Sequence, residues 1–172
     1  HSAPSAILKN GSWKSEMFNI EWILMEGDFA DLIEKAEKPH SIFYDPFSVN
    51  TDTPLWSYSI FKRIFDHCSA RPAKLFTYSG STMVRGTLLA AGFYTGTGAG
   101  TGPKTDTTAA FTSMEVKNRE IELLGKEWLE RFKRSSSKFS PETSDSERAE
   151  IERLIFNHPQ FNNQREYNGN GR

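Results

Sequence analysis

Residues 41–56, SIFYDPFSVNTDTPLW, constrain the fold more than any other stretch. Ser41, Ile42, Phe43 and Tyr44 form the short unbroken run of a buried parallel strand, without the alternation of a half-exposed one. The run stops at Asp45-Pro46-Phe47-Ser48. Proline has no N–H to give to a sheet ladder, so the strand ends at Asp45, with the carboxylate at its C-terminal tip. In open α/β sheets that edge is where ligands bind. An acid, a rigidifying proline and an exposed aromatic there can hold an amine on a planar ring: Asp45 accepts from N–H groups while Phe47 stacks on the ring. The same residues suit a plain strand-to-turn junction, in which Asp45 caps the turn and Phe47 packs inward. Taken alone, they leave both readings open.

Ahead of this stretch, residues 4–12 suit a short helix around Ala6, Ile7 and Leu8, ended by Asn10-Gly11, and Trp13 reads as a packing residue. Phe18, Ile20, Trp22 and Leu24 alternate, predicting a strand that ends at Glu26-Gly27-Asp28. Asp28 then caps a helix whose apolar face is Phe29, Leu32, Ile33 and Ala36. Lys38-Pro39-His40 breaks it.

Beyond Trp56, residues 59–69 carry Phe61, Ile64, Phe65 and Cys68 on one helical face, which makes Cys68 a core residue. A strand over Ala73 to Ser79 follows, then Gly80-Ser81 as turn and cap. The next helix passes through Val84 and Leu88 to a C-cap at Gly92, with Arg85 projecting from its first turn. Strands beginning at Phe93 and spanning Thr107 to Thr112 are expected to pair antiparallel across a glycine-rich connection. That connection, Gly96 to Gly102, is a hairpin loop and not a nucleotide loop, because no helix follows to present its N-terminus to phosphate. A long helix over residues 115–134 places Ile121, Leu124, Trp128 and Phe132 on one face. Its basic, aromatic tail (Trp128, Arg131, Phe132, Lys133, Arg134, Lys138, Phe139) reads as a solvated face with the aromatics tucked inward, in preference to an RNA-facing patch. Ser144 and Glu147 form a capping box for a last helix bearing Ile151, Leu154 and Ile155, stopped by Pro159.

At 172 residues, 37% hydrophobic and 25% charged, the chain is long enough for one domain with a real core. A net charge of -1 gives no global attraction to nucleic acid, so any RNA contact needs a local patch. No apolar run nears the roughly 18 residues of a membrane span, and no signal-peptide pattern opens the chain. With Cys68 as its single cysteine the chain can form no internal disulfide, which points to a cytoplasmic home. His1, His40, His67 and His158 have no ligand spacing, so no metal is expected.

Asp45-Pro46-Phe47 resembles the Asp/Asn-Pro-Pro-aromatic motif of amino-group methyltransferases that use S-adenosylmethionine. The longer run, with Asn50-Thr51-Asp52 and Leu55-Trp56, is similar to the MnmC-type tRNA methyltransferase domain. The likeness continues through GDF at 27–29, FTYSGSTMVRGTLLAAGF, GTGPKTDTTAAFT and LLGKEWLERFKRSSSKF. It implies a Rossmann-like α/β methyltransferase fold with S-adenosylmethionine as cofactor. The implied activity is methyl transfer to the aminomethyl group of the tRNA wobble uridine. By this resemblance Asp45 is catalytic; Gly27, Asp28 and Phe29 lie at the cofactor adenine; Pro46, Phe47 and Ser48 face the substrate; and Lys104 contacts phosphate. Amino-group transfer to another substrate and a non-catalytic interaction module are the alternatives.

No strand, GxGxG loop or acidic second-strand tip precedes residue 18, so the resemblance covers the C-terminal two-thirds of such a domain. The fold is therefore expected to be incomplete at its N-terminus, with a missing N-terminal segment or a fused oxidoreductase domain as partner. On this reading residues 1–113 are methyltransferase domain, 114–161 a helical extension and 162–172 a disordered tail. The Phe18–Glu26 strand is then left without a partner and one edge of Ile42–Tyr44 is bare.

Overall fold

Pro46 does end a strand, but not a buried one: Ser41 and Phe43 are exposed, because the strand lies at the end of the described sheet order. In the computed structural model, which describes residues 3–100 and 106–162, β3 runs over Ser41–Phe43. One further ladder bond, from Tyr44 N–H to the Phe76 carbonyl, precedes the turn. The chain divides into a unit ending at Ala36 and a second beginning at Glu37.

In the first unit, helix α1 (Ala3–Asn10) leads into β1 (Ser12–Lys14), which pairs antiparallel with β2 (Glu21–Ile23), Trp13 opposite Trp22. The strand expected over Phe18–Glu26 is thus shorter, and it has a partner. The reason is local: the Ser15 hydroxyl accepts from the Met17 and Phe18 N–H groups and Ser15 N–H donates to the Ile20 carbonyl. Residues 15–20 therefore close a turn, and the chain folds back on itself. Met17, Phe18, Trp22 and Ile23 stay exposed. Asp28 caps α2 (Phe29–Leu32) as expected, its Oδ1 accepting from Ala30 N–H at 2.8 Å. A 3₁₀ turn, Ile33–Lys35, completes this segment.

The second unit is built on a four-stranded sheet in the order β3-β4-β6-β5, with β4 at Lys74–Thr77, β5 at Tyr94–Gly98 and β6 at Thr107–Phe111. β3 and β4 are parallel, while β6 runs antiparallel to both of its neighbours. The expected β5–β6 pairing is present. β3 ends the order, so among the described residues its outer edge carries no strand. Helices α3 (Tyr58–His67) and α4 (Thr82–Ala91), capped by Ser57 and Ser81, bury Phe61, Ile64, Val84, Leu88 and Leu89. Cys68 is buried, as its helical spacing requires.

Arg85 does not project outward. Its side chain is 2% exposed and pairs with Asp106 at 2.5 Å, while Nε donates to Thr108 Oγ1 and a terminal nitrogen to the Thr107 carbonyl. A buried guanidinium needs that many acceptors, and the start of β6 provides them.

The long helix expected over 115–134 is broken. Met114–Val116 forms a single 3₁₀ turn, and α5 begins only at Lys126, ending at Arg134. Between them the chain lies along the free edge of β5: Leu124 N–H donates to the Thr95 carbonyl at 2.9 Å and Thr97 N–H to the Glu122 carbonyl at 3.1 Å. The open β5 edge supplies hydrogen bonds that compete with helix propagation. Gly96 permits this approach, because a Cβ there would lie 2.4 Å from the Glu122 carbonyl oxygen.

α5 then packs with α6 (Asp145–Phe156) and α7 (Pro159–Asn162) around Leu89, Leu124, Trp128, Phe132, Ile155 and Phe161. The capping box of Ser144 and Glu147 is formed. Pro159 opens α7 after α6 has ended. The tail expected over 162–172 lies, from residue 163, outside the described residues.

α7 brings Gln160 into the sheet. Its Oε1 accepts from Thr95 N–H at 2.8 Å, and its Nε2 donates to the carbonyls of Thr95 and Leu124 at 2.8 and 2.9 Å. Gln160→Leu should leave that buried N–H unsatisfied and cost about 1–3 kcal/mol. The urea midpoint should fall with the slope unchanged. An unaltered midpoint would mean that water replaces the side chain.

His158 is buried, its Nδ1 accepting from Gln160 N–H at 3.2 Å. Burial lowers its pKa below 6.5 against the opposing effect of a backbone hydrogen bond with Gly92. The unfolded chain therefore binds more protons between that lowered value and about pH 6.5. The stability involved is fully present above pH 6.5 and is lost as pH falls through the native pKa. Urea midpoints measured across this range should decline with acid, and His158→Asn should flatten the decline.

Candidate active site

The turn after β3 rests on a bed of aromatic side chains. Tyr44, 5% exposed, meets Trp56 edge-on at 5.4 Å and Phe61 at 5.3 Å, and its hydroxyl donates to the Leu55 carbonyl. Trp56 in turn meets Tyr78 edge-on at 6.0 Å. From this bed two donors reach up to successive backbone carbonyls of the turn. Tyr78 Oη donates to Pro46 at 3.2 Å, and Trp56 Nε1 donates to Phe47 at 2.9 Å. Both groups would otherwise be polar atoms at an apolar surface, so each bond satisfies donor and acceptor together.

The residues that follow are tied down as well. The N–H groups of Thr51 and Asp52 donate to the Ser48 carbonyl, Ser48 Oγ lies 3.0 Å from Thr51 Oγ1, and the Thr53 hydroxyl donates to the Val49 carbonyl. The backbone of DPFS and NTD is therefore held, while the side chains of Asp45 and Phe47 point to solvent. Phe47 is 74% exposed, which removes the alternative in which it packs inward. Asp45 is exposed and accepts no hydrogen bond among the described residues. Its charge is felt by Tyr78, whose pKa is raised first by burial and then by Asp45. Tyr44 is raised in the same way, by burial and then by Asp52. Both phenols thus stay protonated at neutral pH and remain donors to the turn.

Asp45, Pro46, Phe47 and Ser48 stand together at the carboxyl edge of the sheet, joined there by Tyr78 from the end of β4. Phe43, two residues before Asp45, is 82% exposed and stacks on Phe76 of the neighbouring strand at 5.8 Å and 28°. Sequence reasoning missed Tyr78 and Trp56 as supports of the turn. Their one available signal was the aromatic residue type near a strand end. Lys104 lies outside the described residues.

Gly27, Asp28 and Phe29 belong to the first unit. Gly27 has φ 149°, a conformation that favours glycine, and lets the chain turn sharply into α2. Asp28 spends one oxygen on the cap, and its second has no partner among the described residues. Phe29 beside it is 38% exposed. A carboxylate acceptor next to an accessible ring fits an adenine, which offers an exocyclic amine and a flat face.

The described residues hold no cluster of three or more His, Cys, Asp or Glu suited to a metal, and no helix long and apolar enough to cross a membrane. A cavity of about 170 Å³ lies beside Trp56 and is lined by Thr53, Ser57, Thr87 and Glu142. Neither Asp45 nor Phe47 lines it, and both side chains are exposed.

No curated protein matches the chain. Among solved structures it is similar to MNMC2 from Aquifex aeolicus, with a TM-score of 0.61 and 21% identity. The match covers 89% of this chain and 48% of that one, so the chain spans about half the length of its structural relative. That likeness gives the Rossmann-like methyltransferase fold, with a mixed sheet whose antiparallel strand β6 sits between β4 and β5. The family profile described as S-adenosyl-L-methionine-dependent methyltransferase matches residues 2–113. The chain belongs to the S-adenosyl-L-methionine-dependent methyltransferase family.

Proposed function

We propose that the protein transfers a methyl group to the aminomethyl group of the wobble uridine in tRNA. The observation that carries this reading is the pairing of an exposed acid and an exposed phenyl ring, Asp45 and Phe47, on a turn pinned by Tyr78 and Trp56. An open site of this kind suits an acceptor carried on a macromolecule. A small free amine would instead call for an enclosing pocket. The resemblance of the DPFS, NTD and LW run to the MnmC-type tRNA methyltransferase domain supports the choice of tRNA.

Bound S-adenosylmethionine supplies an electrophilic methyl on its sulfonium. The chain's own task is to present a neutral amine lone pair to it in line, so positioning contributes most of the rate. Asp45 accepts one amine N–H, which fixes where the lone pair points. An alkylamine is largely protonated near neutral pH, so Asp45, directly or through solvent, also takes up the proton that the ammonium must lose. Phe47 stacks on the uracil ring, and Pro46 and Ser48 shape the surface on which it rests. Gly27, Asp28 and Phe29 hold the adenine of the cofactor, and Lys104 contacts substrate phosphate.

In the domain completed by its N-terminal segment, Asp45→Ala should lower kcat for methyl transfer to undermodified tRNA by at least about a hundredfold, since a misplacement of an ångström costs that much. Affinity for S-adenosylmethionine, read by calorimetry, should not change. Phe47→Ala should act chiefly on KM through a stacking contact of about 1–3 kcal/mol. Turnover by Asp45→Ala at the wild-type rate would reduce DPFS to a structural turn.

In the same completed domain, Asp28→Asn should weaken cofactor binding by about 1.5–3 kcal/mol, the worth of a hydrogen bond to a charged acceptor. The helix cap survives, because Asn caps as well as Asp. Calorimetric affinity equal to the wild type, with equal thermal stability, would leave Asp28 as a cap alone.

A further inference from the structure

A second cavity opens where the 122–125 segment runs along the edge of β5. It holds about 430 Å³ and is lined by Thr97, Glu122, Glu127, Trp128, Arg131 and Arg134. Thr97 stands opposite Thr108, and Thr108 opposite Thr77, the residue before Tyr78. The cavity and Asp45 thus lie along the same carboxyl edge of one sheet. Three strand spacings separate β5 from β3, roughly 14 Å.

The lining is chemically mixed. Arg131 is exposed and has no ion-pair or hydrogen-bond partner among the described residues. Arg134 spends only its Nε, on the Glu130 carbonyl. Arg85 also contributes to the wall, but its charge is already met by Asp106. Trp128, 5% exposed, forms one side, and its buried Nε1–H has no acceptor among the described residues. Gly125, at the N-cap of the 9-residue α5, also lines the cavity and offers no side-chain cap. Glu122 and Glu127 add two carboxylates. A bare anion would meet those carboxylates as repulsion. A ribonucleotide would not, because it brings phosphate for the guanidinium groups and hydroxyl and amine donors for the acids.

We propose that this groove is a second RNA subsite, in which Arg131 and Arg134 hold a backbone phosphate of the strand whose acceptor base reaches Asp45, and Glu122 and Glu127 accept from ribose or base donors. The assignment rests on the tRNA reading above. It makes the broken helix functional: the edge pairing that ends the 114–125 segment in extended form is what opens the groove beside α5.

The test uses a fluorescently labelled anticodon stem-loop RNA and anisotropy titrations over a range of salt. The Arg131→Gln, Arg134→Gln double variant should bind at least about tenfold more weakly, and the slope of log K against log salt should fall by about 0.7 for each phosphate that the variant no longer neutralises. S-adenosylmethionine affinity and melting temperature should match the wild type. Should the double variant fail to fold, Arg131→Gln alone, at an exposed position, decides the point by the same slope. Equal RNA binding and equal slope in a folded variant would overturn the subsite while leaving the tRNA reading intact. Absence of RNA binding by the wild type itself would overturn both.

Discussion

β6 is the strand on which the second unit depends. It is buried along its whole length, and its ladders with β4 and β5 join the two halves of the sheet. Its side chains, Thr107, Thr108, Ala109, Ala110 and Phe111, are mostly small, so neighbouring elements can approach the sheet centre closely. An antiparallel strand in that place arrives late in the chain and must be held at its start. Arg85 does this from α4, gathering Asp106, the Thr107 carbonyl and Thr108 Oγ1 around one buried guanidinium. The Thr108 hydroxyl passes the tie on to the Ser79 carbonyl at the end of β4. The carboxyl edge of the sheet, where the turn after β3 stands, is thereby tied together from α4 through β6 to the residues after β4.

The turn after β3 follows the same logic on a smaller scale. A solvent-facing acid and phenyl ring on a loop would ordinarily be mobile. Here the loop is short, proline fixes one of its dihedrals, and two aromatic donors hold consecutive carbonyls. Exposed groups on a hydrogen-bonded backbone are what the proposed positioning mechanism requires, because an acceptor must be brought to one place with little freedom left to lose.

The residues after β6 share the core of the residues before it. Leu89 of α4 packs in one cluster with Trp128, Phe132, Ile155 and Phe161. Gln160 is bonded to β5 at Thr95. The helices α5 to α7 therefore cover a sheet edge and a helix face that would otherwise be open.

Much of this was legible in the residues. Asp28, Ser81 and Ser144 cap helices, Pro46 ends β3, Gly92 ends α4, and the spacing that buries Cys68 is that of a helix face. Each of these depends on groups within a turn or two of the chain, so the sequence by itself determined them. Tertiary structure decided the rest. Ile121 and Leu124 have helical spacing but lie extended, because the β5 edge offers hydrogen bonds from residues far away in sequence. Phe18, Ile20 and Trp22 alternate like a longer strand, yet Ser15 closes a turn and β1 supplies a partner. Arg85 reads as a surface residue until β6 brings acceptors to it, and Tyr78 and Trp56 become supports of the turn only once β4 lies beside β3. Periodicity states which face a residue occupies, whereas what meets that face is set by strand order and register, which no short window of sequence contains.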